Sequence, residues 1–243
     1  MLYDIFTITS KELKEIFVQR GSLRSGFSNL LIVIAIIGVL FPMQYGQDWV
    51  RSPVGLITTA WLPMFMSMGL IADAFAGERE RNTLETLLST RLSDQAILYG
   101  MMLAAIIYGS GITLVAMIVG AITVNLTFPG AGFYPLPMFL GAIGFSLLGM
   151  VLVSGIGVQV SLHASNVRQA YQRMSLGFMV LWLPLILGPQ FLPDETMRGI
   201  LNFLQRLNLT QAALIAAGAL LVIDAVLIGL ANARFQRSRL ILD

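Results

Sequence analysis

The densest group of charged side chains in this chain lies in residues 77–93, with the sequence GERERNTLETLLSTRLS. Alternating glutamates and arginines can form ion pairs and charge-assisted hydrogen bonds with another polypeptide. The segment contains no nucleophile beside a general base and no glycine-rich phosphate loop. Its residue types therefore predict binding to a partner rather than catalysis.

Other arrangements that could catalyse a reaction or hold a metal are missing from the sequence. The chain has no cysteine, which excludes a disulfide, a thiolate metal site and a cysteine nucleophile. Its single histidine, His163, cannot form a multi-histidine metal site. The charges form no basic patch with interleaved aromatic residues, which argues against nucleic-acid binding. An intramembrane enzyme is disfavoured because paired acids and a nucleophile–base set are absent.

Two acidic residues stand within apolar segments. Asp224 lies about ten residues from Arg234, or ~15 Å along a helix, and so near mid-membrane. It could couple transport to protons or cations, or it could be a protonated side chain bonded to a neighbouring helix. We favour the second interpretation because no other intramembrane acid lies at comparable depth. Asp73 lies within two turns of the charged segment and is expected to pair with Arg79 or Arg81.

The elements that must position these residues are membrane helices. Hydrophobic residues make up 56% of the chain and charged residues 12%, against about a quarter in soluble domains, and the mean hydropathy is +0.80. Six apolar segments are long enough to cross a hydrocarbon core of about 30 Å. They are residues 27–45, 53–76, 96–124, 136–162, 175–192 and 210–231. The sequence therefore predicts an all-α integral membrane protein with six transmembrane helices within residues 27–234.

The lysines and arginines predict the orientation of these crossings. With the N-terminus in the cytoplasm, twelve of the fifteen basic residues lie on the cytoplasmic side, as the positive-inside rule requires. The cytoplasmic set is Lys11, Lys14, Arg20, Arg24, Arg79, Arg81, Arg91, Arg168, Arg173, Arg234, Arg237 and Arg239; the outer set is Arg51, Arg198 and Arg206. An even number of crossings places the tail, residues 235–243, in the cytoplasm as well. We expect a multi-pass protein of the cell inner membrane.

Two amphipathic segments flank the crossings. Residues 1–26 place apolar side chains such as Leu2 and Phe6 at helical spacing, which predicts an entry helix along the cytoplasmic membrane surface. Residues 193–209 carry an apolar stripe behind Asp194, which predicts an outer re-entrant helix before the last crossing. The chain therefore has predicted interfacial helices on both sides of the membrane.

Residues 77–95, between the second and third crossings, are predicted to form a cytoplasmic loop with a short helix of its own. Asn82 followed three residues later by Glu85 is typical of a capping box, with Asn82 as the N-cap. The leucines of this helix share one face: Leu84, Leu87 and Leu88. That face would either dock on a partner or rest on lipid headgroups. Ser93 is expected to be the N-cap of the helix that enters the third crossing.

Residues 74–100, AFAGERERNTLETLLSTRLSDQAILYG, resemble the signature of the permeases of type-2 ATP-binding-cassette (ABC) exporters. In that family a run close to G-E-[KR]-E-[KR]-x-T-L-E-x-L-L-x-T-P-[IL]-S follows the second crossing. The matching residues are Gly77, Glu78, Arg79, Glu80, Arg81, Thr83, Leu84, Glu85, Leu87, Leu88, Thr90, Leu92 and Ser93. Two positions depart from the family pattern, since Arg91 replaces the usual Pro and Met101 replaces a common Lys. The resemblance extends over the entry helix, the six crossings and the outer re-entrant element.

The resemblance implies the permease subunit of an ATP-driven exporter that works by alternating access. Two copies of a separate ABC ATP-binding subunit would hold ATP and Mg²⁺ and rest on the loop, while a second permease subunit would complete a homodimer. This chain would bind no cofactor of its own. The implied ATPase-coupling residues are Glu78, Arg79, Glu80, Arg81, Asn82, Thr83, Leu84, Glu85, Leu87 and Leu88. A smaller cytoplasmic contact is implied at Arg168 and Gln169.

A second class of function stays open, namely a membrane scaffold or assembly factor without transport activity. In that case the same loop would bind a partner that is not an ATPase. An ABC ATPase gene beside this one would favour the transporter. The mostly apolar crossings favour a lipophilic or amphipathic cargo over a sugar.

Overall fold

The computed structural model describes residues 1–18, 30–83, 89–191, 193, 196, 199 and 209–235. The regular structure of this part of the chain is helical, which confirms the predicted all-α class. Its helices are α1 (Leu2–Val18), α2 (Leu30–Tyr45), α3 (Asp48–Arg51), α4 (Pro53–Glu80), α5 (Asp94–Thr127), α6 (Leu136–Ser161), α7 (Val167–Phe191) and α8 (Leu209–Arg234). A π-helical turn, Ile36–Leu40, lies within α2.

Four helices of the described part, α4, α5, α6 and α8, are long and apolar enough to cross a membrane. The predicted multi-pass membrane protein is therefore confirmed. The apolar helix α2 is shorter than these four. Helix α7 contains nearly all of the predicted fifth crossing but is not among the four, so the count of six crossings stays a prediction. The predicted outer helix at 193–209 and the tail beyond residue 235 lie almost entirely outside the described residues.

The start of α5 is fixed by the cap that the sequence predicts. Ser93 has extended backbone angles (φ −73°, ψ 150°), and its side chain accepts a hydrogen bond from the Ala96 N–H at 3.2 Å. This bond satisfies one of the N–H groups that the first helical turn leaves free. Asp94 in the same turn places a negative charge at the positive end of the helix dipole. The predicted N-cap at Ser93 is confirmed.

The buried side chains form three clusters along the length of the bundle. The cluster nearest the charged segment joins α1, α4, α5, α6 and the end of α8, and it includes Ile8, Phe75, Ile97, Met101, Val158 and Phe235. The middle cluster joins α4 to α7 and includes Met64, Met68, Ile71, Met150, Val153 and Met174. The cluster at the opposite end includes Ile37, Trp49, Met117, Val124 and Tyr134. Burial of these apolar surfaces holds α4, α5 and α6 together as the centre of the fold.

The two ends of the bundle have different polar contacts. At one end, the Arg51 guanidinium donates to the Ala131 carbonyl at 3.4 Å, and the Asn125 side chain bonds the Gly132 backbone at 2.8 and 3.0 Å. At the other end lie α1, the residues after α4, the turn between α6 and α7, and the end of α8. These are the segments that the positive-inside rule predicts to lie together on the cytoplasmic side.

Candidate functional site

The charged segment begins inside a helix, because α4 continues past the predicted loop boundary at residue 77 and ends at Glu80. Asn82 has a left-handed backbone (φ 57°), and its N–H donates to the Arg79 carbonyl at 3.0 Å. The Thr83 N–H donates to the Glu78 carbonyl at 2.9 Å. This pair of bonds is the Schellman motif that closes helix C-termini.

Asn82 thus closes the C-terminus of α4, a role that the sequence pattern did not predict; the residues to which an N-cap at Asn82 would bind lie outside the described part, so that prediction stays open. Asparagine is favoured at N-caps, but it is also one of the few residues other than glycine that readily adopts the left-handed conformation at the end of a helix. The motif alone did not distinguish these roles. The four predicted coupling residues that follow lie outside the described residues: Leu84, Glu85, Leu87 and Leu88.

Glu78 joins the end of α4 to α1. The residue is only 5% exposed, and its Oε1 accepts from the Lys11 ammonium at 3.0 Å. The Thr83 hydroxyl donates to the other carboxylate oxygen, and an Arg81 guanidinium nitrogen lies 3.8 Å from Oε1. A carboxylate removed from water needs partners of this kind, so Glu78 is a structural ion-pair residue rather than an exposed docking residue.

Lys11 lies among three carboxylates. Its ammonium is 3.2 Å from Glu12, 3.3 Å from Glu15 and 3.0 Å from Glu78. The three acids are close enough together to hold a metal ion, but the lysine ammonium already supplies the positive charge at their centre. Burial raises the pKa of the Glu12 carboxyl above its ordinary value, although Lys11 opposes the rise. Burial also works against the charge of Lys11, but the surrounding carboxylates outweigh it and raise the pKa of the ammonium.

The entry helix α1 is seated by this ion-pair cluster and by the start of α5. The buried Thr9 hydroxyl donates to the Gly100 carbonyl at 3.1 Å, and Ile8 is buried beside it. Of the predicted apolar face, Leu2 and Phe6 are 84% and 70% exposed, whereas Ile5 packs against the buried cluster that contains Ile8. Sequence reasoning missed Thr9 and Lys11, because their partners Gly100 and Glu78 lie far away in the chain.

Arg79 and Glu80 hold the turn between α6 and α7. The Arg79 guanidinium donates to the carbonyls of Leu162 and Ala164 at 3.0 and 3.1 Å. A Glu80 carboxylate oxygen accepts from the Val167 N–H at 3.1 Å, at the first residue of α7. A fork of guanidinium donors suits the free carbonyls after a helix, and a carboxylate suits the positive N-terminus of the next one. The end of α4 thus binds both sides of this turn.

Arg81 and Asp73 form an ion pair along α4. Their closest atoms, a guanidinium nitrogen and a carboxylate oxygen, lie 3.2 Å apart, which confirms the predicted pairing of Asp73 with Arg81. The two residues are eight positions apart, and Gly77 lies between them. A Cβ at position 77 would contact the Asp73 carboxylate and come within 3.0 Å of the Arg81 guanidinium. Glycine therefore leaves room for this bridge across two turns.

The predicted smaller contact at Arg168 and Gln169 lies in the first turn of α7. The Gln169 side-chain oxygen accepts from the N–H and the hydroxyl of Ser165 at 2.8 and 3.0 Å, and the Asn166 side chain accepts from the Gln169 N–H at 2.8 Å. Gln169 therefore shapes the turn, whereas Arg168 is exposed. Seven described residues of the charged segment are exposed: Glu80, Arg81, Asn82, Thr83, Ser89, Arg91 and Ser93.

Asp224 lies in α8, apart from these contacts. It is 4% exposed, and neither carboxylate oxygen has a hydrogen-bond partner among the described residues, so the expected bond to a neighbouring helix is not seen in this part of the chain. The residue is buried, as an intramembrane polar site requires, but it does not join the charged segment.

Four helices that are long and apolar enough to cross a membrane, with ion pairs at one end of the bundle, define a multi-pass membrane protein. The family model for ABC-2 type transporters matches residues 3–221, and the chain belongs to this family. It is thus an ABC transporter permease, of a family without an ATPase site of its own that usually works with an ATP-binding subunit. No curated protein matches the chain.

Proposed function

We propose that this chain is the membrane subunit of an ATP-driven exporter and that a separate ABC ATP-binding subunit docks at the end of α4. The observation that carries the proposal is that some residues of the charged segment bind other helices while others are exposed. Glu78 and Arg79 face inward and bind α1 and the end of α6, whereas Arg81 to Thr83 are exposed. The exposed part can bind a partner while the inward part transmits the movement.

The contacts define a mechanical route from the partner to the membrane helices. Force on the exposed residues acts directly on α4, and through Glu78 it reaches Lys11 on α1. Through Arg79 and Glu80 it reaches the turn between α6 and α7. Closure of two ATP-binding subunits would therefore tilt α4 together with three other helices. In this proposal, the tilting switches the transport path between inward-open and outward-open states.

The proposed path lies between two copies of this permease in an inner-membrane homodimer. Under this proposal α2 and α7 supply the two further crossings, both termini are cytoplasmic, and the charged segment faces the ATPase. The bias of lysines and arginines supports this orientation. The mostly apolar crossings favour a lipophilic or amphipathic substrate, moved outward.

Because the chain has no cysteine, a single introduced cysteine can test the orientation. Gln172→Cys lies at the charged end and Pro129→Cys at the opposite end, and both positions are exposed. A membrane-impermeant maleimide added to intact cells should label the Pro129→Cys protein and spare the Gln172→Cys protein until the membrane is opened. The reverse labelling pattern would show that the protein has the opposite orientation and would refute docking of the ATPase at the charged end.

Partner binding is tested by co-expressing the chain with candidate ABC ATPases. Arg81→Glu and Arg168→Glu reverse two exposed charges at the proposed docking end, and Arg51→Glu is the matched control at the opposite end. We expect the double variant Arg81→Glu/Arg168→Glu to lose both co-purification of the ATPase and stimulation of ATP hydrolysis, while the control retains both. Unchanged association of the double variant would refute docking at this site. A stable partner without ATPase activity would favour the scaffold function instead.

A further inference from the structure

Asp224 has no counter-charge on the described helix that packs most extensively against α8. The described helix with the most extensive packing against α8 is α6, and its sequence from Leu136 to Ser161 contains no acidic, basic or tyrosine residue. On α5, the titratable group that reaches α8 is Tyr99, whose hydroxyl accepts from the Asn232 amide at 2.5 Å near the charged end. Arg234 stands at the end of α8, about ten residues or ~15 Å from Asp224.

An ionised carboxylate in this setting carries a large desolvation cost. Neither oxygen of Asp224 receives a hydrogen bond from the described residues, and the residue is only 4% exposed. Charged groups at the centre of a membrane helix cost several kcal/mol even with local adjustment. Binding a proton removes this cost, because the neutral acid carries no charge into the apolar interior.

Other unpartnered polar atoms continue from Asp224 toward the charged end. Leu227, about one turn from Asp224, packs on Gly155, and the adjacent Ser154 has a fully buried hydroxyl without a partner among the described residues. Further along, the Gln159 side-chain nitrogen and the Asn232 side-chain oxygen are also buried and unpartnered in the described part. We call this line of polar atoms between α6 and α8 the seam. It reaches the surface where the Gln159 oxygen accepts from Arg234 at 3.0 Å.

These atoms alternate between groups that donate and groups that accept. Ser154 and Gln159 offer donors, and Asp224 and Asn232 offer acceptors. Buried polar groups are almost always satisfied by protein or by water, and water molecules bind where several such groups converge. A line of water along the seam would satisfy them together.

We propose that Asp224 is a proton-binding site, filled from the Arg234 end of the bundle through water held between α6 and α8. Binding joins one proton from that water to a carboxylate oxygen and yields the neutral acid; release reverses the step. The site depends on neither the ATPase nor the coupling contacts. Its assignment to the cytoplasmic side rests on the orientation proposed above.

The test uses a lipophilic carbodiimide, which modifies protonated carboxyl groups within membranes. The full-length chain in lipid vesicles is treated over a range of pH, and the modified residues are identified by mass spectrometry. We expect modification at Asp224, its loss in Asp224→Asn, and a rate that falls about tenfold for each pH unit above the carboxyl pKa. Asp73, which is partly exposed and paired with Arg81, should stay unmodified.

A second arm tests the route of the proton. In vesicles of one orientation, established with the Gln172→Cys reporter, the pH is changed on one side at a time. The rate at Asp224 should follow the pH at the Arg234 end, and Gln159→Leu should slow that response. If the folded wild-type protein stays unmodified at every pH, the proton site is refuted. If the rate follows only the pH at the opposite end, the seam is refuted.

Discussion

The Lys11 ammonium lies among three carboxylates and links α1 to the end of α4. Removing its positive charge should therefore weaken the contact between these two helices. Lys11→Met keeps most of the aliphatic stem and removes the ammonium. Glu78, 5% exposed, then loses its 3.0 Å partner, and Glu12 and Glu15 are left facing it. We predict that α1 detaches from the end of α4 and that the folded state is destabilised.

The size of the effect follows from burial. Removing one partner of a buried ion pair costs about 3–5 kcal/mol. The Lys11 side chain is 39% exposed, so water screens part of its interaction, and a loss of about 2 kcal/mol is a better expectation. For a chain of this length, about 2 kcal/mol lowers Tm by roughly 4–8 °C.

Thermal unfolding of the purified variants in one detergent measures this loss. Lys14→Met is the matched control, because Lys14 is exposed on the same helix, and it should change stability by less than about 0.5 kcal/mol. The double variant Lys11→Met/Glu78→Gln should recover much of the loss, since it no longer buries an uncompensated charge. The reasoning fails if Lys11→Met unfolds at the same temperature as Lys14→Met, or if Glu78→Gln adds to the loss.

Three further predictions concern neighbouring contacts. Arg79→Lys cannot reach both carbonyls with a fork of donors, so proteolysis in residues 162–167 should become faster, whereas Arg168→Lys should leave it unchanged. Ser93→Ala removes the cap of α5 and should cost about 0.5–2 kcal/mol in thermal unfolding; Ser93→Asn should retain most of the stability. Because burial raises the pKa of Glu12, the folded state holds that proton more tightly than the unfolded state, and the contribution of this residue to stability should fall as pH rises above about 4. Glu12→Gln should reduce this fall in a series of unfolding curves, and an identical pH dependence of the two proteins would contradict the assignment.

Local patterns predicted the parts of this structure that depend on local physics. Apolar length predicted membrane helices, Ser93 before an apolar run predicted the N-cap of α5, and the short separation of Asp73 from Arg79 and Arg81 predicted an ion pair with one of them, which is Arg81. The role of Asn82 at the end of α4 was missed, because this residue type suits both ends of a helix.

The long-range contacts of the candidate site could not be predicted in this way. Glu78 resembles its neighbours Arg79 and Glu80 as a charged residue of a polar segment, yet each binds a different part of the chain. Their partners on α6 and α7 are backbone groups, which no residue type reveals. The only signal for the α1 contact is a lysine followed one and four residues later by glutamates on an amphipathic helix, and that pattern does not name Glu78.

The seating of α1 also has a consequence for biogenesis. Its ammonium finds Glu78, and its Thr9 hydroxyl finds the Gly100 carbonyl, only after those distant residues have left the ribosome. Because α1 is synthesised before these residues, it reaches its final place late, once α4 and the first turns of α5 have been made. Until then its acidic side chains remain in water, and insertion of the following helices completes the seating of α1.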